Sequence, residues 1–166
     1  MMPTSIRALC LVLLGCLTLG LPAQAMEPRI VNEHLKVYSI EGDYALYREA
    51  LEMAIIDRGI VINNVAHIGA MLSRTGADIG GEAIFIQAEA LEFCSAVLSR
   101  RMMETEPHHI VFCPYVVSVY ELADAPGTIH LAYRRPTLLG DAQSREALEA
   151  VDTLLDEIVR EALAFF

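Results

Sequence analysis

The stretch Glu92–Glu121, EFCSAVLSRRMMETEPHHIVFCPYVVSVYE, carries the clearest helix and strand signals of the chain. Its first part, together with the residues just before it, predicts a helix from Ala90 to Met103, and Pro107 falls in the connection that follows. Its second part, Ile110–Glu121, is rich in β-branched and aromatic residues and predicts a strand. A helix followed by a returning strand is therefore the unit around which the rest of the fold is arranged.

Strands and helices alternate on both sides of this unit. Upstream, the hydrophobic pattern predicts strands over 34–40, 60–65 and 83–87, with helices over 44–58 and 66–75 between them. Downstream, the residues 128–133 predict the second strand of a hairpin, and 141–164 a long amphipathic helix. The order β-α-β-α-β-α-β-β-α indicates an α+β fold, a two-layer sandwich with a mixed sheet and a long C-terminal helix.

The first 25 residues predict an export signal. Arg7 is their only charge, an apolar run of 14 residues extends over 8–21, and Ala23-Gln24-Ala25 places small residues where a signal peptidase reads them. This run is shorter than the roughly 20 residues that a membrane-spanning helix needs. We expect cleavage after Ala25 and a periplasmic or secreted location. The alternative is a lipoprotein processed at Cys16, because LLGC at 13–16 resembles a lipoprotein box.

The remaining 141 residues (166 − 25) predict a short leader over 26–33 and a single domain over 34–166. No second apolar run approaches spanning length, so we expect a soluble protein without a membrane span. All 22 acidic residues and 11 of the 12 basic ones lie in this part, and 11 − 22 gives a net charge of −11. Nucleic acids and anionic membrane surfaces require clustered Lys and Arg, so this charge disfavours both as partners.

Cys94 and Cys113 are the only cysteines after residue 25. A helix from Cys94 rises by roughly 15 Å at 1.5 Å per residue, and a strand ending at Cys113 returns by roughly the same length, so both sulfurs can reach one edge. An even pair in an exported chain favours a disulfide. Two alternatives stay open. In the first, Cys94 is a reactive thiol whose pKa is lowered by its position near a helix N-terminus. In the second, both cysteines are small buried hydrophobic residues.

Four further residues suggest a site for haem or a soft metal. Met102 and Met103 end the predicted helix, and His108 begins the turn after it. His67 lies in the apolar run Val65–Ile68, where a strand passes into a helix and a polar ring needs a partner. Imidazole and thioether groups bind such metals, and a homodimer would bring two copies of each residue to one axis. The spacings of covalently attached haem and of zinc are absent from the sequence.

The order of several segments over about 34–136 resembles the family known as domain of unknown function 302. The segments are Asp57-Arg58-Gly59, Val65-Ala66-His67, AIFIQAEALEFCSAVL at 83–98, IVFCPYVVSVYE at 110–121 and TIHLAYRRP at 128–136. The resemblance implies a compact α+β fold and a tendency to form homodimers. It implies no particular activity, because the family has none agreed.

Phosphate loops, nucleophile elbows and paired carboxylates are absent from the sequence, which favours binding over catalysis. We therefore expect an exported, homodimeric protein that binds haem, a metal or a periplasmic redox partner. Two alternatives stay open. One is a thiol–disulfide redox protein that uses Cys94 and Cys113, and the other is a structural or interaction module whose contact surface is the acidic C-terminal helix.

Overall fold

A computed structural model describes residues 27–166. The predicted export signal, its cleavage site and Cys16 lie outside this range. The described strands are β1 Ile30–Val31, β2 Leu35–Glu41, β3 Ile62–Ala66, β4 Phe85–Phe93, β5 Tyr115–Leu122 and β6 Thr128–Arg134. The helices are α1 Tyr44–Ile56, α2 Ile68–Ile79, α3 Ala96–Thr105 and α4 Ala142–Leu163, with a 3₁₀ turn over Pro107–Phe112 between α3 and β5.

The strands form one six-stranded sheet in the order β1-β2-β6-β5-β4-β3, and every pairing in it is antiparallel. The predicted α+β class is therefore confirmed, whereas the prediction of a mixed sheet was wrong. Alternation of helices and strands does not fix strand direction or order, and here α1 carries the chain from β2 to β3 at the far edge of the sheet. The expected leader also contributes structure, since Ile30 and Val31 pair with Val37 and Lys36.

The boundaries around the central unit differ from those predicted. Strand β4 continues to Phe93 because its residues pair along β5, ending with Phe93 opposite Tyr115. Helix α3 then begins after Ser95, whose hydroxyl accepts a hydrogen bond from the backbone N–H of Leu98 as an N-cap. The predicted strand from residue 110 is shorter, because its first residues form the 3₁₀ turn. Both cysteines thus lie in short connections next to the paired ends of β4 and β5.

The core lies between one face of the sheet and the helices α1, α3 and α4. Alternate residues of the central strands point into it, in keeping with the two-residue period of a strand. The predicted apolar stripe of the C-terminal helix is fully buried: Leu148, Val151, Leu155, Ile158 and Ala162. No helix in residues 27–166 is long and apolar enough to cross a membrane.

One polar network fastens α4 to the sheet. The carboxylate of Asp156 accepts hydrogen bonds from Lys36 Nζ at 2.9 Å, the Tyr38 hydroxyl at 2.6 Å and the Tyr133 hydroxyl at 3.0 Å. Its second oxygen accepts one from Arg160 Nε at 2.8 Å. Three strand residues and one helix residue therefore converge on a single carboxylate, which the amphipathic pattern alone assigns to the polar face.

Helix α2 is packed differently from the other helices. It passes through Gly76, where the sequence predicted a break, and ends at Gly80, whose φ of +72° is the left-handed conformation of a C-terminal cap. It is amphipathic, yet none of its residues with a described side chain is buried. The same holds for β3. This corner of the fold therefore presents an incompletely covered apolar surface.

Candidate functional site

The two thiols lie together at one rim of the sheet. Cys94 follows the last residue of β4 and Cys113 precedes Pro114 and β5, so the pairing of Phe93 with Tyr115 brings both cysteines to the same end of the strand pair. Each cysteine is half-buried and free, and Cys113 is near enough to Cys94 to contribute to the raised pKa of its thiol. Both cysteines therefore lie at a shared edge as expected, although strand pairing brings them there and the predicted returning strand is a 3₁₀ turn.

Two hydroxyl groups complete this cluster, which we call the thiol site (Cys94, Ser99, Cys113 and Tyr115). Ser99 Oγ lies 3.3 Å from Cys113 Sγ and 3.0 Å from the Tyr115 hydroxyl oxygen. Burial raises the pKa of Tyr115 to about 12, so its phenol stays protonated at neutral pH. Sequence reasoning missed both residues. Ser99 lies on the turn of α3 that follows Cys94, a spacing that gives a signal only once the helix start is known.

The environment of Cys94 differs from the one expected at a helix N-terminus. Burial raises the pKa of Cys94, and the neighbouring Cys113 raises it further, while a backbone hydrogen bond from Tyr115 acts in the opposite direction. Cys94 also precedes the N-cap Ser95, so it stands outside the first helical turn. The prediction of a lowered pKa at Cys94 was therefore wrong, because desolvation disfavours the thiolate more than the helix end favours it.

The four proposed ligand residues do not meet at one place. Met102 is fully buried in the core, and Met103 is half-buried against it. His108 is exposed in the 3₁₀ turn, where its backbone N–H donates to Glu106 Oε1 at 2.9 Å. His67 lies at the start of α2. Over residues 27–166, no three His, Cys, Asp or Glu side chains are arranged to hold a metal ion.

His67 lies in a polar environment that its apolar neighbours did not predict. Its side chain is 66% exposed, and its Nδ1 lies 2.8 Å from Glu89 Oε1. The other oxygen of Glu89 accepts a hydrogen bond from Arg48 Nε at 2.9 Å. Although burial alone acts to raise it, the pKa of Glu89 is lowered by its hydrogen bonds from Arg48 and His67, so this carboxylate is ionised at neutral pH. The ring is therefore exposed despite its apolar neighbours, and Glu89 is the partner that the sequence led us to expect.

An open cleft of about 330 Å³ lies beside this pair, between α1, α2 and β4. Its walls include Tyr44, Gly69, Phe85 and Ile86 as well as the His67–Glu89 pair. The hydroxyl of Tyr44 is buried without a hydrogen-bond partner in the described part of the chain. Sequence reasoning missed Glu89, although a signal existed: the residue alternates with Leu91 and Phe93, so its charge points to the covered face of the sheet and requires a partner.

Comparison with known proteins places the fold in context. The chain is similar to the crystal structure of an uncharacterized conserved protein DUF302 from Bacillus stearothermophilus, with a TM-score of 0.61 and 18% sequence identity. The alignment covers 76% of this chain and 97% of that one, and at this identity it shows a shared fold. No curated protein matches the chain. The family model described as domain of unknown function DUF302 matches residues 36–164, and the chain therefore belongs to this family.

Proposed function

We propose that this protein is an exported thiol–disulfide redox protein in which Cys94 and Cys113 interconvert between a dithiol and a disulfide. The observation that carries the proposal is the position of two free, half-buried thiols next to the paired ends of adjacent strands, where Cys113 contributes to the raised pKa of Cys94. Disulfide formation requires Cα atoms no more than about 7 Å apart. Directly paired residues of antiparallel strands are about 4.5–5.5 Å apart, so two cysteines just beyond such a pair start near this limit. The predicted export signal supports the proposal, since disulfides persist in oxidising compartments.

The reaction is an exchange with an external disulfide. A thiolate of the pair attacks one sulfur of that disulfide and releases the other sulfur as a thiolate, which leaves a mixed disulfide. The second cysteine, after losing its proton, attacks the protein sulfur of the mixed disulfide and releases the second external thiolate. The protein thereby loses two electrons and two protons, and the external disulfide is reduced to two thiols.

The raised pKa of Cys94 sets the expected rate. A higher pKa leaves a smaller fraction of thiolate at neutral pH, and exchange rates depend on this fraction. The chain also lacks the Cys-x-x-Cys spacing of rapid oxidoreductases. We therefore propose that the pair responds stoichiometrically to a redox partner rather than turning over as a catalyst. The homodimer that the family resemblance implied stays a prediction, which sedimentation of the purified protein decides.

The first test is formation of the bond itself. We expect incubation with oxidised glutathione to link two tryptic peptides, residues 75–100 with Cys94 and residues 102–134 with Cys113, each of which contains one cysteine. Closing this loop of 20 residues stabilises the folded state by about 3 kcal/mol in the chain-entropy model. Mass spectrometry of the unreduced digest detects the linked peptides, and urea unfolding with and without dithiothreitol measures the stabilisation.

The variants Cys94→Ser and Cys113→Ser are the controls for this test. Each lacks the linked peptides and unfolds at the same urea concentration whether or not dithiothreitol is present. The proposal fails when the wild-type protein keeps both peptides unlinked after prolonged incubation with excess oxidised glutathione. In that case the two cysteines serve only as small side chains that pack at the edge of the core.

The surface around the thiol site indicates where a protein partner docks. Val97 lies in the first turn of α3 with 77% of its surface exposed, and Ile110 and Val111 lie in the 3₁₀ turn with 60% and 72% exposed. These three residues flank Cys94 and Cys113 in the chain. A partner whose sulfur reaches the thiol site must cover its surroundings, so apolar residues there add binding energy to the encounter.

We expect the triple change Val97→Ser, Ile110→Ser and Val111→Ser to slow oxidation by a disulfide-bearing protein such as oxidised thioredoxin by roughly tenfold or more. Oxidation by oxidised glutathione, which needs no docking surface, proceeds at the wild-type rate. Quenched-flow alkylation with mass detection measures both rates. The control is Val61→Ser, an equally exposed valine (73%) between α1 and β3. Equal slowing with both oxidants contradicts a docking role for this surface.

A further inference from the structure

Two adjoining clefts beside helix α2 have the shape and polarity of a binding groove. The cleft beside His67 adjoins a second cleft of about 230 Å³, and both are lined by Gly69, Ser73 and Phe85. The nearby apolar side chains are exposed: Ile79 at 80%, Ile84 at 58% and Ile86 at 49%. We call these two clefts together the α2 groove. An amphipathic helix usually buries its apolar side, so this one leaves room for an apolar ligand.

Glycine at position 69 belongs to the groove floor. A Cβ added there would lie 2.9 Å from the backbone nitrogen of Ala88, a contact that side chains do not tolerate. Helix α2 therefore meets β4 through its backbone at this point, with Phe85 and Ile86 of the strand beside it. Glycine at this position therefore lets α2 pack closely on β4, which fixes the helix beside the two clefts.

His67 supplies the metal-binding feature of the groove. An ionised carboxylate only accepts hydrogen bonds, so Glu89 requires the proton of the imidazole to be on Nδ1. Whenever the ring is neutral, its lone pair is then on Nε2, for which residues 27–166 provide no hydrogen bond. A histidine held in this way by a carboxylate is the arrangement found behind metal-ligating imidazoles.

A metal ion bound to His67 must have most of its ligands supplied by another molecule. The part of the chain that the structure describes holds no group of three metal-binding side chains, so His67 offers a single donor. A metal already held in the plane of a porphyrin needs only one or two axial donors, and its macrocycle is apolar and flat. We propose that the α2 groove binds an iron porphyrin, with His67 Nε2 as axial ligand and Glu89 as the residue that positions the imidazole.

The test is a titration of the Cys94→Ser, Cys113→Ser double variant with haemin, because this variant removes thiolate ligation and makes the result independent of the redox proposal. We expect saturable binding of one haemin per chain with a shifted, sharpened Soret band. Replacement His67→Ala lowers the affinity by more than the roughly 10- to 100-fold that loss of an orienting partner costs. His108→Ala, which removes an exposed histidine elsewhere, leaves the affinity unchanged.

The positioning role of Glu89 has its own readout. Glu89→Gln keeps a group of the same shape, lowers haemin affinity by roughly 10- to 100-fold and shifts the iron reduction potential, because the imidazole loses an anionic partner. Circular dichroism shows that each variant remains folded. The proposal is overturned if haemin binding does not saturate. It is also overturned if the double cysteine variant binds haemin equally well with and without the His67→Ala change. Either result leaves the thiol chemistry of Cys94 and Cys113 unaffected.

Discussion

Replacement of Asp156 by alanine is expected to lower the free energy of unfolding by about 3–5 kcal/mol, the range for removing one partner of a buried ion pair. The side chains of Asp156 and Lys36 are only 19% and 17% exposed, so solvent screens their interaction little. Loss of the carboxylate also leaves the hydroxyls of Tyr38 and Tyr133 without their acceptor. Each such unpartnered buried group adds about 1–3 kcal/mol of desolvation cost.

Urea unfolding followed by circular dichroism measures this loss. Glu157→Ala is the matched control, because Glu157 is the exposed acidic neighbour of Asp156 on α4 and the change removes the same charge. We expect that control to stay within about 0.5 kcal/mol of wild type, as surface substitutions do. Similar losses in the two variants would show that the network around Asp156 contributes no more than a surface charge.

The same carboxylate predicts the direction of the pH dependence. Burial alone acts to raise the pKa of Asp156, but the hydrogen bonds from Tyr38, Arg160, Lys36 and Tyr133 outweigh it and hold this pKa well below its usual range. A depressed folded-state pKa means that the unfolded chain binds protons first. The stabilisation is therefore complete above the unfolded value of about 3.9 and disappears as the pH falls toward the folded value. The alanine variant should show a flatter acid limb.

The sequence was sufficient for the fold class because that class depends on the number, order and period of the elements. Helix α4 was located within one residue at each end, since a long amphipathic pattern with an Asp N-cap has few alternative interpretations. Strand direction was not accessible, because a β-α-β order is compatible with either sense once the connection is long enough. The pairing of β4 with β5 shows the antiparallel outcome.

The candidate site was predictable only in part. Cys94 and Cys113 lie at one rim as expected, but the pairing of β4 with β5 places them there, since the predicted returning strand before Cys113 is a 3₁₀ turn. Met102 is fully buried in the core, an environment that the interpretation as a ligand did not anticipate. A methionine pattern cannot distinguish a core position from a ligand position, because both place the thioether on the apolar face of a helix.

The residues that define the electrostatics of the α2 groove and of the Asp156 network come from distant parts of the chain. Glu89 meets Arg48 and His67 across separations of 41 and 22 residues, and Asp156 meets Tyr38 across 118. The local hydrophobic period shows that a charged residue lies on a covered face. The residue that pairs with this charge can be identified only when the order of strands in the sheet is known. Tertiary pairing therefore decides which polar residues are functional candidates.

Phe93→Ala is the second change with a large expected effect, a loss of about 3–5 kcal/mol in the free energy of unfolding. Phe93 is fully buried, and its ring meets that of Tyr115 edge to face with 6.1 Å between centroids. The deletion opens a cavity under the paired ends of β4 and β5, directly before Cys94. Phe93→Leu keeps most of the volume and should cost less than about 1.5 kcal/mol. Urea unfolding of the reduced proteins gives both values.

This change also connects the core to the proposed redox chemistry. Tyr115 shares a hydrogen bond with Ser99, which contacts Cys113, so the ring of Phe93 supports the strand ends that hold both thiols together. We therefore expect Phe93→Ala to slow the linking of Cys94 to Cys113 by oxidised glutathione, whereas Phe93→Leu links at nearly the wild-type rate. Linking at an undiminished rate in a destabilised alanine variant would mean that the pairing of the sulfurs is set by the local chain alone. Rigid strand ends would then be unnecessary for the dithiol, and the core would contribute to stability without contributing to the reaction.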